Sequence, residues 1–150
     1  MMSNQVYTDA EEMNFSTGMS AFEGKNFSKA MQFLSPFAEK GNAQAQHLVA
    51  IMYQNGLGVG PSSSEAVKWM KASAEQGYPI AQHGIGFMYM DGECVEKDGA
   101  EAVKWFQLAA DQGLQGSLTT LAMMYEQGDG VEQDLAKAKE LYKQAGFDEM

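Results

Sequence analysis

The sequence predicts an all-α protein, a solenoid of stacked antiparallel helix pairs. Three observations point to it. The segment AVKWMKASAEQG at 66–77 returns as AVKWFQLAADQG at 102–113, 36 residues later. Residues 42–77 and 78–113 align without a gap and share 15 of 36 positions. Residues 114–149 continue the register, with Met52, Met88 and Met124 in line, as are Tyr53, Tyr89 and Tyr125. Second, Ala45, Val49 and Met52/Tyr53 recur at i, i+4 and i+7/8, one face of a helix. Third, each unit is broken once by a glycine-rich stretch and closed by a glycine. One helix pair cannot hide its apolar face alone, so such units stack and bury a continuous core.

The elements follow in order. Residues 1–8 form a tail, and 9–41 form a divergent first hairpin. Its helices, roughly 9–23 and 27–40, flank a short EGKN turn, and Phe33 precedes Gly41 as Trp69 precedes Gly77. In the repeat 42–77 a helix over about 43–55 ends at NGLGVG, a turn-forming stretch. Ser62 with Glu65 reads as a capping box. The helix that follows, about 63–76, carries Ala66, Trp69, Met70 and Ala74 inward and stops at Gly77, where glycine adopts the left-handed conformation. The repeat 78–113 has helices at about 79–91 and 99–112, the second capped by Asp98 with Glu101. The repeat 114–149 has helices at about 115–127 and 135–145. Asp134 keeps its cap, Lys137 replaces the glutamate, and Leu141 replaces the tryptophan. The chain reads as one repeat domain, 1–150.

Composition narrows the function. Apolar residues make up 45% and charged residues 20%, as in a folded water-soluble protein. A net charge of −10 opposes nucleic acid and anionic membranes and favours a neutral or basic protein or peptide. The single cysteine, Cys94, excludes an intrachain disulfide. Glu93 and Glu96 beside it disfavour a catalytic thiolate. No Cys/His cluster has zinc spacing, and the acidic loops do not match a calcium loop, so no metal or cofactor is expected. No nucleophile elbow, phosphate loop or metalloprotease motif occurs, so no catalytic residue is assigned and the protein reads as a non-enzyme. The start, MMSNQVYTDAEEMNF, lacks a basic region followed by an apolar run, and no membrane-spanning stretch occurs. The simplest location is cytoplasmic. The oligomeric state stays open.

Candidate binding residues come from the faces left over. With Ala45, Val49 and Tyr53 turned to the core, positions 44, 47, 48, 51 and 55 and their repeat equivalents point away. They include His47, Leu48, Ile51, Ile80, His83, Phe87, Thr119 and Met123. Apolar side chains that no core requires mark either a partner site or packing between neighbouring repeats. His47 and His83 share one repeat position, followed by Thr119; they read as groove contacts or as plain surface histidines. Asp91, Glu93 and Glu96, then Asp129 and Glu132, fall in the inter-helix loops beside Asp98, Glu101, Glu126 and Asp134. Stacked on one side they merge into an acidic edge, either a solvated rim or a surface for a basic partner. Met52, Met88 and Met124 obey the repeat and read as core.

The segments AQHLVAIMYQNGLGV…EAVKWMKASAEQG and AQHGIGFMYMDGECV…EAVKWFQLAADQG resemble Sel-1-like repeats, relatives of the tetratricopeptide repeat. The likeness covers about 42–146, with 11–41 similar to a tetratricopeptide hairpin. Cys94, Leu141 and the early Gly146 depart from the pattern. The resemblance implies a right-handed α-solenoid of about three such repeats plus the N-terminal hairpin, its first helices lining a concave binding groove. It further implies a bacterial protein–protein scaffold or adaptor, or an immunity protein that neutralises a secreted toxin. A purely structural assembly part is a further reading. Some cysteine-rich members are linked to β-lactam hydrolysis, but they carry paired cysteines in each repeat; with Cys94 alone, that activity does not carry over.

Overall fold

A computed structural model describes residues 6–147, which form eight helices and no strand. They are α1 (Asp9–Glu23), α2 (Phe27–Glu39), α3 (Ala43–Asn55), α4 (Ser63–Glu75), α5 (Pro79–Asp91), α6 (Gly99–Asp111), α7 (Gln115–Gln127) and α8 (Leu135–Gln144). The chain divides into two compact units between Tyr78 and Pro79.

In the first unit α1 packs on α2, α2 on α3 and α3 on α4. The core gathers Ala30, Leu34, Phe37 and Ala38 from α2 with Ala45, Leu48, Val49 and Met52 from α3. Phe37 takes the edges of Tyr7 and Phe15 at centroid distances of 5.1 and 5.2 Å. In the second unit α5 packs on α6, α6 on α7 and α7 on α8. Its core joins Ala102, Phe106 and Ala110 of α6 to Leu118, Leu121, Ala122 and Met124 of α7 and Ala138, Leu141 and Tyr142 of α8.

The caps follow the sequence with one change. Ser62, Asp98 and Asp134 each accept from the backbone N–H three residues on, at 3.2, 3.1 and 3.0 Å. The full reciprocal box, however, is made by Thr8 and Glu11. Glu65 instead turns its carboxylate to the indole Nε1 of Trp69, 3.0 Å away. Asn26 and Asn42 cap α2 and α3. Gly41, Gly77 and Gly113 hold φ of 97°, 93° and 85° at helix ends, as their spacing predicts.

The tryptophans sit one step from where the pattern puts them. The buried stripes are Ala66–Met70–Ala74 and Ala102–Phe106–Ala110, spaced i, i+4, i+8. Trp69 and Trp105 precede the central residue by one position, about 100° round the helix, and lie half-buried at the stripe's edge. Phe106 is fully buried. It fits because residue 86 is glycine: a Cβ there would come within 2.9 Å of the Phe106 ring.

Glutamines staple the units. In the first, Gln76 Nε2 donates to Gly41 O and to Gln46 Oε1, both at 2.8 Å, while Gln46 Nε2 donates to Ala38 O at 3.1 Å. In the second, Gln112 Nε2 donates to Gln82 Oε1 at 2.9 Å. Ser73 Oγ donates to Ala43 O at 2.7 Å. Among the described residues no buried side-chain N or O lacks a partner, as a folded interior requires.

Candidate interaction surface

The candidate residues separate by unit. In the first, Leu48 is 9% exposed and belongs to the core, and Ile51 packs partly against it. Both were placed off the core face; α3 instead buries Ala45, Gln46, Leu48, Val49, Ala50 and Met52, a wider arc than one stripe. His47 is half-buried with its ring edge-to-face to Tyr78, 5.7 Å between centroids. Burial pushes its pKa down from 6.5 to about 4, because desolvation disfavours the charged imidazolium.

In the second unit the side chains stay at the surface. Ile80 is 47% exposed and Phe87 36%, both on α5; Met123 on α7 is 44% exposed. His83 sits one turn before Phe87. Its ring meets Phe87 at 4.8 Å and Phe106 at 5.3 Å, and Phe87 meets Phe106 at 5.4 Å with planes at 88°. Three rings thus close an edge-to-face triangle, the favoured arrangement of aromatic quadrupoles. His83 Nδ1 shares a 2.7 Å hydrogen bond with Ser117 Oγ, which ties α5 to α7. Burial lowers the His83 pKa as well. Thr119 Oγ1 donates to Gln115 O of its own helix at 3.1 Å.

Phe87 therefore has a fixed pose. One edge rests on a buried ring, one side on a hydrogen-bonded histidine, and the remainder faces water. Ile80, His83 and Phe87 share a face of α5 through spacings of three and four, and His83 brings α7 alongside.

Asp91, Glu93, Glu96 and Glu132 are exposed, and Asp129 is half-buried. All lie in the second unit, Asp91 at the end of α5 and the others in the α5–α6 and α7–α8 connections. The α7–α8 connection rests Gly130 on the start of α6, where a Cβ on Gly130 would come within 2.4 Å of the Gly99 carbonyl carbon. Gly58 makes the same approach to Phe27 in the first unit. Cys94, at the matching loop position, holds φ of 67°. Among the described residues no group of three or more His, Cys, Asp or Glu can hold a metal, and no helix is long and apolar enough to cross a membrane.

Sequence reasoning passed over Ser117 and the glutamine staples. Gln46 and Gln82, like Gln76 and Gln112, are identical in the aligned repeats, a signal that an apolar-pattern search ignores.

The Sel1 repeat model matches residues 17–42, 43–78, 79–114 and 118–146. The first match covers most of the hairpin that the sequence likened to a tetratricopeptide unit. A Sel1 repeat protein from Oxalobacter formigenes superposes with a TM-score of 0.83 at 30% identity, over 87% of this chain and 54% of that one. The protein c5321, a protective antigen present in uropathogenic Escherichia coli strains displaying an SLR fold, gives 0.85 at 37% identity, over 90% of this chain and 30% of that one. Cysteine rich protein B of Helicobacter pylori shares the fold at 17% identity and a TM-score of 0.61, over 79% of this chain and 87% of that one. The chain therefore spans about half and about a third of the lengths of the first two. No curated protein matches the sequence. Sel1 repeats are in general scaffolds for protein–protein interaction. With four matches along an all-α helical-repeat chain of the solenoid class, this protein belongs to the Sel1 repeat family.

Proposed function

We propose that this protein is a non-catalytic adaptor that binds a protein or peptide partner on the first-helix surface of its second unit, centred on Phe87. The observation that carries the reading is the half-exposed Phe87 ring held by Phe106 and His83. An aromatic already fixed in its bound pose loses little side-chain entropy on association. Such residues dominate interface energetics, often at about 2 kcal/mol or more on truncation. Ile80 shares the exposed α5 face with Phe87, exposed Met123 holds the repeat position of Phe87 on α7, and the acidic residues of the same unit favour a partner with basic residues.

The test uses the partner recovered by affinity capture, titrated calorimetrically. Phe87→Ala is expected to weaken binding about 30-fold, equivalent to about 2 kcal/mol, while the variant stays folded at the titration temperature, with a melt lowered only by the lost ring contacts. Leu108→Ala, a truncation of a more exposed apolar side chain on α6, is expected to bind as the parent does. Normal binding by Phe87→Ala, or equal losses in both variants, defeats the assignment.

A further inference from the structure

The first unit carries a cleft of its own. Between α2, α3 and α4 a cleft of about 260 Å³ is lined by Ser35, Glu39, Tyr53, Glu65, Lys68 and Trp69 among others. Its back wall is the half-buried indole of Trp69. The Glu65 carboxylate accepts from Trp69 Nε1 at 3.0 Å and so fixes the plane of the ring. Lys68 places its ammonium over the same ring, 4.7 Å from the centroid.

That lysine identifies the chemistry. The indole face is already serving as a cation site, filled by a side chain of the protein itself. A cation over an indole is held by the ring quadrupole, and tryptophan is the best of the aromatic acceptors. Lys68 is otherwise solvent-exposed and sits on a flexible stem, so it is a replaceable occupant. The cleft also carries two carboxylates, Glu39 and Glu65, against one lysine, which leaves it net negative. Tyr53 adds a second aromatic wall.

We infer that this cleft is a receptor for a guanidinium side chain of a protein partner, with Trp69 as the stacking platform, Glu65 and Glu39 as the carboxylate acceptors, and Lys68 as the resident cation that the guanidinium displaces. Guanidinium fits better than ammonium here. It is planar, so it stacks on the indole while its edge donates to a carboxylate in two parallel hydrogen bonds. An incoming ammonium would only exchange one point charge for another. The inference stands apart from the adaptor reading, because it concerns a different unit and a ligand group that is testable without the natural partner.

The experiment is a titration of the full chain with acetyl-Gly-Arg-Gly-amide, following the Trp69 indole N–H resonance by NMR. Trp105→Phe assigns which of the two indole signals is Trp69. Saturable shifts of the Trp69 signal are expected with the arginine peptide, with several-fold weaker binding of the lysine peptide and none of the neutral citrulline peptide. Glu65→Gln keeps an acceptor for Nε1 but removes the charge, and is expected to weaken arginine binding at least five-fold. Lys68→Met removes the resident cation and is expected to strengthen it at least three-fold. Thermal melts of both variants distinguish loss of the site from loss of the fold. Equal binding of citrulline and arginine peptides, lysine binding as tightly as arginine, or no strengthening in a folded Lys68→Met variant, overturns the proposal.

Discussion

His47 loses much of its contact with water between α3 and Tyr78, and its protonation becomes a stability term. Its folded pKa lies near 4 against 6.5 when exposed. Between those values the unfolded chain binds a proton that the folded chain does not, so acid pulls toward unfolding. The contribution is complete above about pH 6.5 and is lost as the pH falls toward 4. His83, shifted the same way by burial, adds to the slope. Glu11 acts lower: Lys40, 2.8 Å away, brings its pKa down from 4.5 to about 2, and its contribution is lost below that of the histidines. Urea titrations at pH 7, 6, 5 and 4.5 are expected to show falling stability, by up to about 2 kcal/mol from His47. His47→Gln is expected to flatten much of that slope; an unchanged slope removes His47 from the account. At the core, Phe106→Ala is expected to cost about 3–5 kcal/mol because the ring is fully buried. Trp105→Ala, at a half-buried position, is expected to cost about 1–2 kcal/mol. The reversed order in denaturant midpoints would return the tryptophan to the core.

At the level of helices and their connections, the turns carry the sharpest expectations. The α5–α6 loop places Cys94 at φ 67° where its counterparts Gly58 and Gly130 hold 69° and 73°. A side chain in the left-handed region costs roughly 1–2 kcal/mol, so Cys94→Gly is expected to raise stability by about 1 kcal/mol despite the added freedom of the unfolded chain. A lowered melting temperature would show that the thiol makes a compensating contact. Period and spacing make all eight helices legible in the sequence, because the 36-residue register repeats caps, apolar stripes and terminating glycines together. What they do not resolve is rotation about each helix axis. A one-residue step separates Trp105 from Phe106 and turns the face by about 100°, and either ring satisfies the apolar pattern. The same ambiguity put Leu48 on an outer face. Phe87 was legible as a surface aromatic, since glycine at 86 and a repeat-fixed Met88 flank it. The Phe106 ring beneath it and the bond from His83 to Ser117 were not, because Phe87 and Phe106 lie 19 residues apart and His83 and Ser117 34.

For the molecule as a whole, the net charge of −10 is a long-range field that acts before any contact forms. Exposed Glu93 and Glu96 lie on the α5–α6 connection, in the same unit as the proposed binding surface. Charge reversal of both to lysine is expected to slow association with a basic partner several-fold at low salt, with little effect on dissociation. Raising the ionic strength toward 0.5 M is expected to erase the difference, since screening shortens the reach of exposed charges. A salt-independent change in stopped-flow association rates would mean that the glutamates act by contact instead. The glutamine staples have a consequence at another level, that of the gene. Gln76 closes on Gly41 and Gln46, and Gln46 closes on Ala38. A recombination event that adds or removes a whole period carries both amides and their carbonyls along with it. An exchange out of phase by a few codons strands an amide in the interior, at about 1–3 kcal/mol for each orphaned group. Purifying selection on that penalty makes array length digital: lineages of this protein are expected to differ by multiples of about 36 codons, and rarely by fractions of one.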